Sequence, residues 1–178
     1  MIIQDTVKED IDTVYNIHTA AFGQNEEAQL VVKLLNDPSA SPCLSLLASL
    51  NGLAVGHVLF TRATIDGANQ AVSATILAPL AISPEFQRQS IGEQLIREGL
   101  DRLVHDGIRL VFVLGHPDYY SRFGFSPAGK QGFSAPYPIP PEHAEAWMVQ
   151  ELGAGITGSV SGMVRCADEL SKPELWIE

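Results

Sequence analysis

Cysteine is scarce: the 178-residue chain holds two, Cys43 and Cys166. Two thiols cannot build a disulfide framework. Neither stands in a C-x-x-C or Cys/His ligand spacing, so both are expected as free, buried thiols. Positive charge is scarce too. Eleven Lys and Arg stand against 21 Asp and Glu, a formal net charge of −10. A chain so acidic lacks the basic face that binding to a phosphate backbone needs, which excludes nucleic acid as a partner. Its acid keeps a protein soluble and, secondarily, suits a cationic small substrate such as an amine. No apolar run reaches the roughly 18 residues that span a membrane. The opening MIIQDTVKED is acidic within ten residues and has no signal-peptide core. A cytoplasmic protein with no membrane partner is expected. Repeats and low-complexity tracts are missing as well. Apolar residues make up 46% of the chain, enough for one core and for a single domain over residues 1–178.

What is present reads as an ordered series of elements. MIIQ is a short strand. Thr6-x-x-Glu9 has the pattern of a capping box, and Ile11, Val14, Ile17, His18 and Ala21 then share a helical face. A second helix is expected from Asn25, with Leu30, Val31, Leu34 and Leu35 as its stripe, ending before Pro38. CLSLLASL and LAVGHVLFTRATI flank Asn51-Gly52, a strong hairpin signal, and Asp66-Gly67 turns the chain again into AVSATILAPLAI. A helix over 91–105 carries Ile91, Leu95, Ile96, Leu100, Leu103 and Val104 on one side and stops at Asp106-Gly107. IRLVFVLG is a strand buried on both faces. Strand, helix and strand at this spacing form a crossover with parallel strands.

Beyond it, PDYYSRFGF reads as a short helix leading to a strand near GFSPAG. The proline-rich stretch 134–142 reads as a loop, and AWMVQEL and MVRCA as late strands. The fold class expected is α+β with a mixed sheet. Pro79 cannot donate to a sheet ladder from inside an inner strand. The strand at 75–82 is therefore expected to part from the strand at 108–115 near its C-terminal end, leaving free amides beside a cleft.

Between that strand and the helix lies Gln87-Arg88-Gln89-Ser90-Ile91-Gly92. A helix N-terminus offers unpaired amides and partial positive charge, Arg88 adds a cation, and Gly92 permits close backbone approach. The loop suits a pyrophosphate. It is neither a Walker loop, which needs Gly-Lys-Ser/Thr, nor a Gly-x-Gly-x-x-Gly fingerprint. Ser90 and Glu93 also form a capping-box pattern, which accounts for a polar loop with no ligand. The two readings weigh about equally on local physics.

QRQSIG resembles the Q/R-x-x-G-x-G/A loop of the GNAT N-acetyltransferase superfamily. The element order and the Tyr-x-x-x-Gly-Phe of YSRFGF resemble that superfamily as well, over most of the chain to about residue 133. DGIRLVFVLGHPDYYSRFGFSPA is similar to a bacterial branch of acetyltransferases. The resemblance implies the GNAT fold, with a splayed parallel strand pair and helices on both faces of the sheet. It implies acetyl-coenzyme A as acyl donor, held at its pyrophosphate by Gln87, Arg88, Gln89, Ser90, Ile91 and Gly92. It implies that backbone amides of Leu80, Ala81 and Ile82 pair with the pantetheine arm and polarise the carbonyl. Tyr120, four residues before Gly124, matches the family's general-acid tyrosine, with Tyr119 as second choice. Ser90 departs from the pattern by replacing the first loop glycine. That matters if the position needs positive φ.

The activity implied is transfer of acetyl to a primary amine, on a small molecule or a peptide, by direct attack and without a covalent enzyme intermediate. A coenzyme A-binding sensor domain without turnover is the alternative. Tyr119, Tyr120, Phe123 and Phe125 can equally form an aromatic packing cluster. His116, Asp118 and Glu85 are the candidates for a base, and Arg122 for a phosphate contact. Oligomeric state stays open, a homodimer included.

Overall fold

Alternation along the strands sorts apolar residues onto the two faces of one sheet. The computed structural model describes residues 1–177. Its strands are β1 (Ile2–Asp5), β2 (Leu44–Leu50), β3 (Leu53–Asp66), β4 (Ala74–Ile82), β5 (Leu110–Leu114), β6 (Ser126–Pro127), β7 (Phe133–Ser134), β8 (Trp147–Glu151) and β9 (Gly162–Arg165). Helices α1 (Ile11–Phe22) and α2 (Glu26–Leu35) precede β2. Helix α3 (Ile91–His105) joins β4 to β5, and the single-turn α4 (Pro117–Tyr120) follows β5. The main sheet runs β1-β2-β3-β4-β5-β8-β6. Only its β4–β5 pair is parallel. The α+β class with a mixed sheet is therefore as the sequence implied.

Helices α1 and α2 cover one face. Val14, Ile17, Val31 and Leu34 pack there with Leu47, Leu59, Leu110 and Phe112. Helix α3 covers the other, where Leu95, Ile96 and Leu100 meet Val58, Phe60, Val111 and Val113. Strand β5 feeds both cores by alternation, which explains the continuous apolar run in its sequence. Each fully buried Leu, Val or Phe contributes roughly 1.5–3 kcal/mol, so both faces are held by packing. Val104 is not part of the α3 stripe: it is 55% exposed. Gly99 lies on the inner side instead, where a Cβ would come within 2.4 Å of the Phe60 ring.

Asn51 and Gly52, with φ of 51° and 82°, make the two-residue turn between β2 and β3, the left-handed pair that a type I′ hairpin demands. Strand β4 begins at Ala74, three residues after the apolar pattern starts at Ala71. The Thr6 capping box does not form. The Thr6 hydroxyl donates to Ser45 Oγ at 2.7 Å, and the Val7 N–H donates to the Asp10 carboxylate at 2.8 Å. Cys43 is exposed rather than buried, Cys166 is half-buried, and both are free thiols.

The C-terminal third returns to the sheet. Strand β9 pairs with Thr64–Asp66, the far end of the 14-residue β3, and β7 runs parallel beside β9. Phe112 stacks on Trp147 with centroids 5.1 Å apart and meets Phe133 edge-on at 5.3 Å. Such pairs contribute about 0.5–1.5 kcal/mol beyond area burial. Trp176 packs edge-on against Trp147, and the Trp147 Nε1–H donates to the Phe133 carbonyl.

A polar row crosses the α1 side. His18 on α1 and His57 on β3, both 0% exposed, meet through Nε2 and Nδ1 at 2.9 Å. His57 Nε2 reaches Ser45 Oγ at 2.8 Å, and Thr6 closes the row. Burial holds His18 down at about 4. Burial, with His18 beside it, holds His57 at about 3. Both rings are neutral at pH 7.

Candidate active site

The parting of β4 from β5 is built by Pro79. Parallel pairing covers Ala74, Thr75 and Ile76 against Leu110, Val111 and Phe112, and then ceases, although β4 runs on to Ile82. On its other edge β4 changes register against β3 between Val58 and Phe60, whose partners are Leu80 and Leu77, so Ala78 and Pro79 form a bulge. A bulge bends and twists the strand that carries it. The sheet consequently opens between the end of β4 and the end of β5.

The edge that faces this opening follows from the ladder. The Ser83 N–H donates to the Val55 carbonyl at 2.9 Å. Successive residues of an antiparallel strand point their amides to opposite edges. Ala81 therefore turns its amide toward β3, while Leu80 and Ile82 aim theirs at the opening. Of Leu80, Ala81 and Ile82, two thus turn their amides to the opening and one to β3.

Past Ile82 the chain makes a 3₁₀ turn over Pro84–Phe86 and enters the loop before α3. Arg88 has φ 61° and Ser90 φ 62°. Among the described residues, the third non-glycine with positive φ is Asn51, which a hairpin turn requires. Left-handed backbone costs about 1–2 kcal/mol for an L-residue, and such strain concentrates where a backbone is held for a ligand. The position of Ser90 is thus one where glycine would be unstrained. Replacing it, Ser90→Gly, is expected to raise stability by about 0.5 kcal/mol, strain relief being partly offset by the freer unfolded chain. Urea denaturation at pH 7.5 measures this.

Ser90 is the N-cap of α3, yet its side chain makes no capping hydrogen bond. The Ser90–Glu93 capping box is absent because Glu93 has better partners. Its carboxylate accepts from Arg122 at 2.9 Å and from Arg97 at 3.2 Å. The acid that would repel an anion is thus countered by two guanidinium groups. The side chains of Gln87 and Gln89 are occupied elsewhere, donating to the carbonyls of Ile82 and Glu85. Among the described residues, no side-chain cap seals the first amides of α3.

These amides front a cavity of about 360 Å³ lined by Ile82, Arg88, Ser90, Gly92, Tyr119 and Arg122 among others. A Cβ at Gly92 would fall 2.8 Å from the Tyr119 hydroxyl, so glycine keeps the cavity open at the helix end. Burial, only partly offset by Arg122, pushes the Tyr119 phenol above its ordinary value and keeps it neutral at pH 7. Arg122 lies over the Tyr119 ring, 5.4 Å from its centroid. Tyr119 was the second choice in the sequence. Its one-residue offset from Tyr120 turns it toward α3, which spacing alone did not resolve.

Tyr120 is buried and packs against the end of β5. A Cβ at Gly115 would come within 2.4 Å of its ring, so the glycine after β5 makes room for the tyrosine. Tyr119 and Phe125 meet that ring edge-on at 5.1 and 5.7 Å. The expected aromatic cluster therefore exists, with Tyr120 at the strand end beside the opening. His116, Asp118 and Glu85 are exposed and lie outside the lining of the loop cavity.

A mixed sheet opened beside a proline bulge, with an uncapped helix N-terminus at the mouth of the opening, forms a cleft suited to a long ligand that carries an anionic group. Residues 3–128 match the acetyltransferase (GNAT) domain family, and the chain belongs to that family. It is 51% identical over 164 residues to the uncharacterized N-acetyltransferase YjhQ of Escherichia coli K12, covering 92% of this chain and 90% of that one. Among solved structures, the GNAT family N-acetyltransferase YhbS from Escherichia coli in complex with CoA superposes with a TM-score of 0.85 at 28% identity, covering 96% of this chain and 92% of that one. A GNAT family acetyltransferase from Brucella melitensis in complex with acetyl-CoA gives 0.75 at 26% identity, with 95% and 97% covered. The splayed pair and the helices on both faces are the family's fold. Among the described residues, no helix is long and apolar enough to cross a membrane.

Proposed function

We propose that the protein transfers acetyl from acetyl-coenzyme A to a primary amine by direct attack. The observation that carries this is the open row of amides from Arg88 to Gly92, uncapped by side chains and set at the mouth of the split between β4 and β5. Gly92 leaves space a Cβ would fill, and Arg88 and Arg122 line the wall with Glu93, whose charge is paired with Arg122 and Arg97. Complexes of two structural relatives with CoA and acetyl-CoA support the same donor.

Acetyl-coenzyme A supplies an activated acyl carbon and a thiolate leaving group. Arg88 and the amides of Ser90, Ile91 and Gly92 hold the pyrophosphate, with Gln87 and Gln89 shaping the loop through their bonds to Ile82 and Glu85. Leu80 and Ile82 donate backbone N–H to the arm and to the carbonyl oxygen that gains charge, at positions fixed before reaction. Ala81 supports them through its ladder bond to β3. A carbon–nitrogen bond forms as the carbon–sulfur bond breaks. The Tyr120 hydroxyl gives its proton to the departing sulfur and regains one from solvent, and the amine loses its surplus proton to water. No nucleophilic serine or cysteine is needed, because the amine attacks the acyl carbon itself.

Two measurements test the proposal together. Acetyl-coenzyme A at about 100 times its dissociation constant should stabilise the fold by ~2.7 kcal/mol. Thiol release should then require an added amine. Stabilisation with no thiol release across all amine classes would leave a coenzyme-binding sensor, and no stabilisation at all would remove the donor.

A further inference from the structure

A second cavity lies on the other side of the sheet. It holds about 450 Å³ and is walled by Phe133, Ala135, Tyr137, Ile139, Trp147 and Met163, with small residues between them. Phe133 and Trp147 belong to the core beneath α1 and α2. The loop cavity before α3 packs instead on the opposite core, through Ile91, Ile82 and Tyr119. The sheet separates the two, and its opening lies past Ile76 on β4 and along the end of β5. Trp147 is paired with Leu114, the last residue of β5, and the Gly115 N–H donates to the Ala146 carbonyl at 2.9 Å. The floor of the second cavity is therefore tied to the β5 lip of the opening. A donor seated on the α3 face and an acceptor seated here would lie on opposite faces of the sheet, flanking β5.

The wall chemistry is uniform. Every lining residue is uncharged. The Tyr137 hydroxyl is bonded to Ser171, at 3.1 Å from its carbonyl and 3.0 Å from its side-chain oxygen, so Tyr137 offers the cavity a ring rather than a donor. The nearest acids along the chain are Glu142 and Glu145. Both are exposed and outside the wall, and Glu145 is paired with Lys130 at 2.9 Å. A polycation would find no carboxylate here, although the chain has 21 acidic residues. The volume lies in the range of small-molecule sites, about 300–1,000 Å³.

We infer that this cavity takes the body of the acceptor, and that the acceptor is a small primary amine with one amino group on an uncharged aromatic or branched aliphatic frame. The inference rests on the acetyl-transfer reading above. An apolar wall also assists the chemistry, because desolvation disfavours an ammonium and favours the free amine that attacks.

The experiment measures thiol release from acetyl-coenzyme A with 2-phenylethylamine, isopentylamine, spermidine, kanamycin and a short peptide with a free N-terminus. The expected result is a kcat/KM for the two apolar amines at least about tenfold above the rest, the scale of discrimination that an apolar pocket delivers. Ile139→Asp places a carboxylate in the half-buried wall. It should lower kcat/KM for 2-phenylethylamine by about tenfold or more while KM for acetyl-coenzyme A stays unchanged. The melting temperature of Ile139→Asp, with its unchanged KM for acetyl-coenzyme A, controls for folding. Preference for spermidine, kanamycin or the peptide, or indifference to Ile139→Asp, would overturn the acceptor class and leave acetyl transfer standing. No thiol release with any of the amines, while acetyl-coenzyme A still raises the melting temperature, would overturn acetyl transfer and this inference together.

Discussion

Tyr120→Phe is expected to lower kcat by about 10²- to 10⁴-fold, the range for loss of a positioned general acid. The substitution deletes one oxygen and keeps the ring. That ring fills the space above Gly115 and meets Tyr119 and Phe125 edge-on, so the packing survives. A lost hydrogen bond alters stability by about 1 kcal/mol, too little to unfold the protein. KM for acetyl-coenzyme A should stay near its original value, because the phosphate contacts proposed above lie at the loop before α3. Tyr119→Phe is the matched control. Its hydroxyl faces Gly92 in the loop cavity, so its loss should act on donor binding more than on turnover. If the large fall in kcat came from Tyr119→Phe and Tyr120→Phe were near normal, the proton donor would be Tyr119.

Mild acid is expected to destabilise the fold steeply. His18 and His57 are both neutral in the native protein, at about 4 and about 3, against an ordinary value of 6.5. As pH falls below 6.5 the unfolded chain binds two protons that the folded chain refuses. Stability is complete above pH 7 and declines from there toward pH 4, with a limiting slope of about 3 kcal/mol per pH unit. The groups bonded along the row are histidine, serine and threonine, so no carboxylate in it compensates a buried cation. A domain with 5–15 kcal/mol to lose would forfeit a large share before pH 5. Urea midpoints at pH 7.5, 6.5, 5.5 and 5.0 should fall in the native sequence. They should fall far less in a His18→Gln, His57→Gln double variant. Parallel curves would show that the pair does not govern acid sensitivity.

Much of the scaffold was legible because its signals are local. The stripe of α3 and the Asp106-Gly107 stop gave its limits as Ile91–His105. Asn51-Gly52 gave the hairpin, and Pro79 gave the break between β4 and β5. The failures share a cause. Thr6-x-x-Glu9 and Ser90-x-x-Glu93 both have capping-box spacing, and neither forms. Thr6 is drawn to Ser45, 39 residues on, and Glu93 to Arg122, 29 residues on. A tertiary partner outcompetes the local one wherever the fold brings it within reach. The His18–His57 contact joins residues 39 apart and leaves no periodic trace. At the candidate site, the loop and both tyrosines were named from the sequence. The direction of each amide and ring had to come from the ladder and from the glycines beside them.

Strand β3 carries a further implication. Its first half is sheathed by β2 and its last three residues by β9, which arrives almost a hundred positions later in the chain. Strand β3 thus borders the end of β4 near its start and the β9 strand that carries Met163 at its finish. Shedding the closing segment would bare an open hydrogen-bonding edge. On the acceptor reading proposed above, a change of acceptor would need new side chains around the 133–147 wall and no new module.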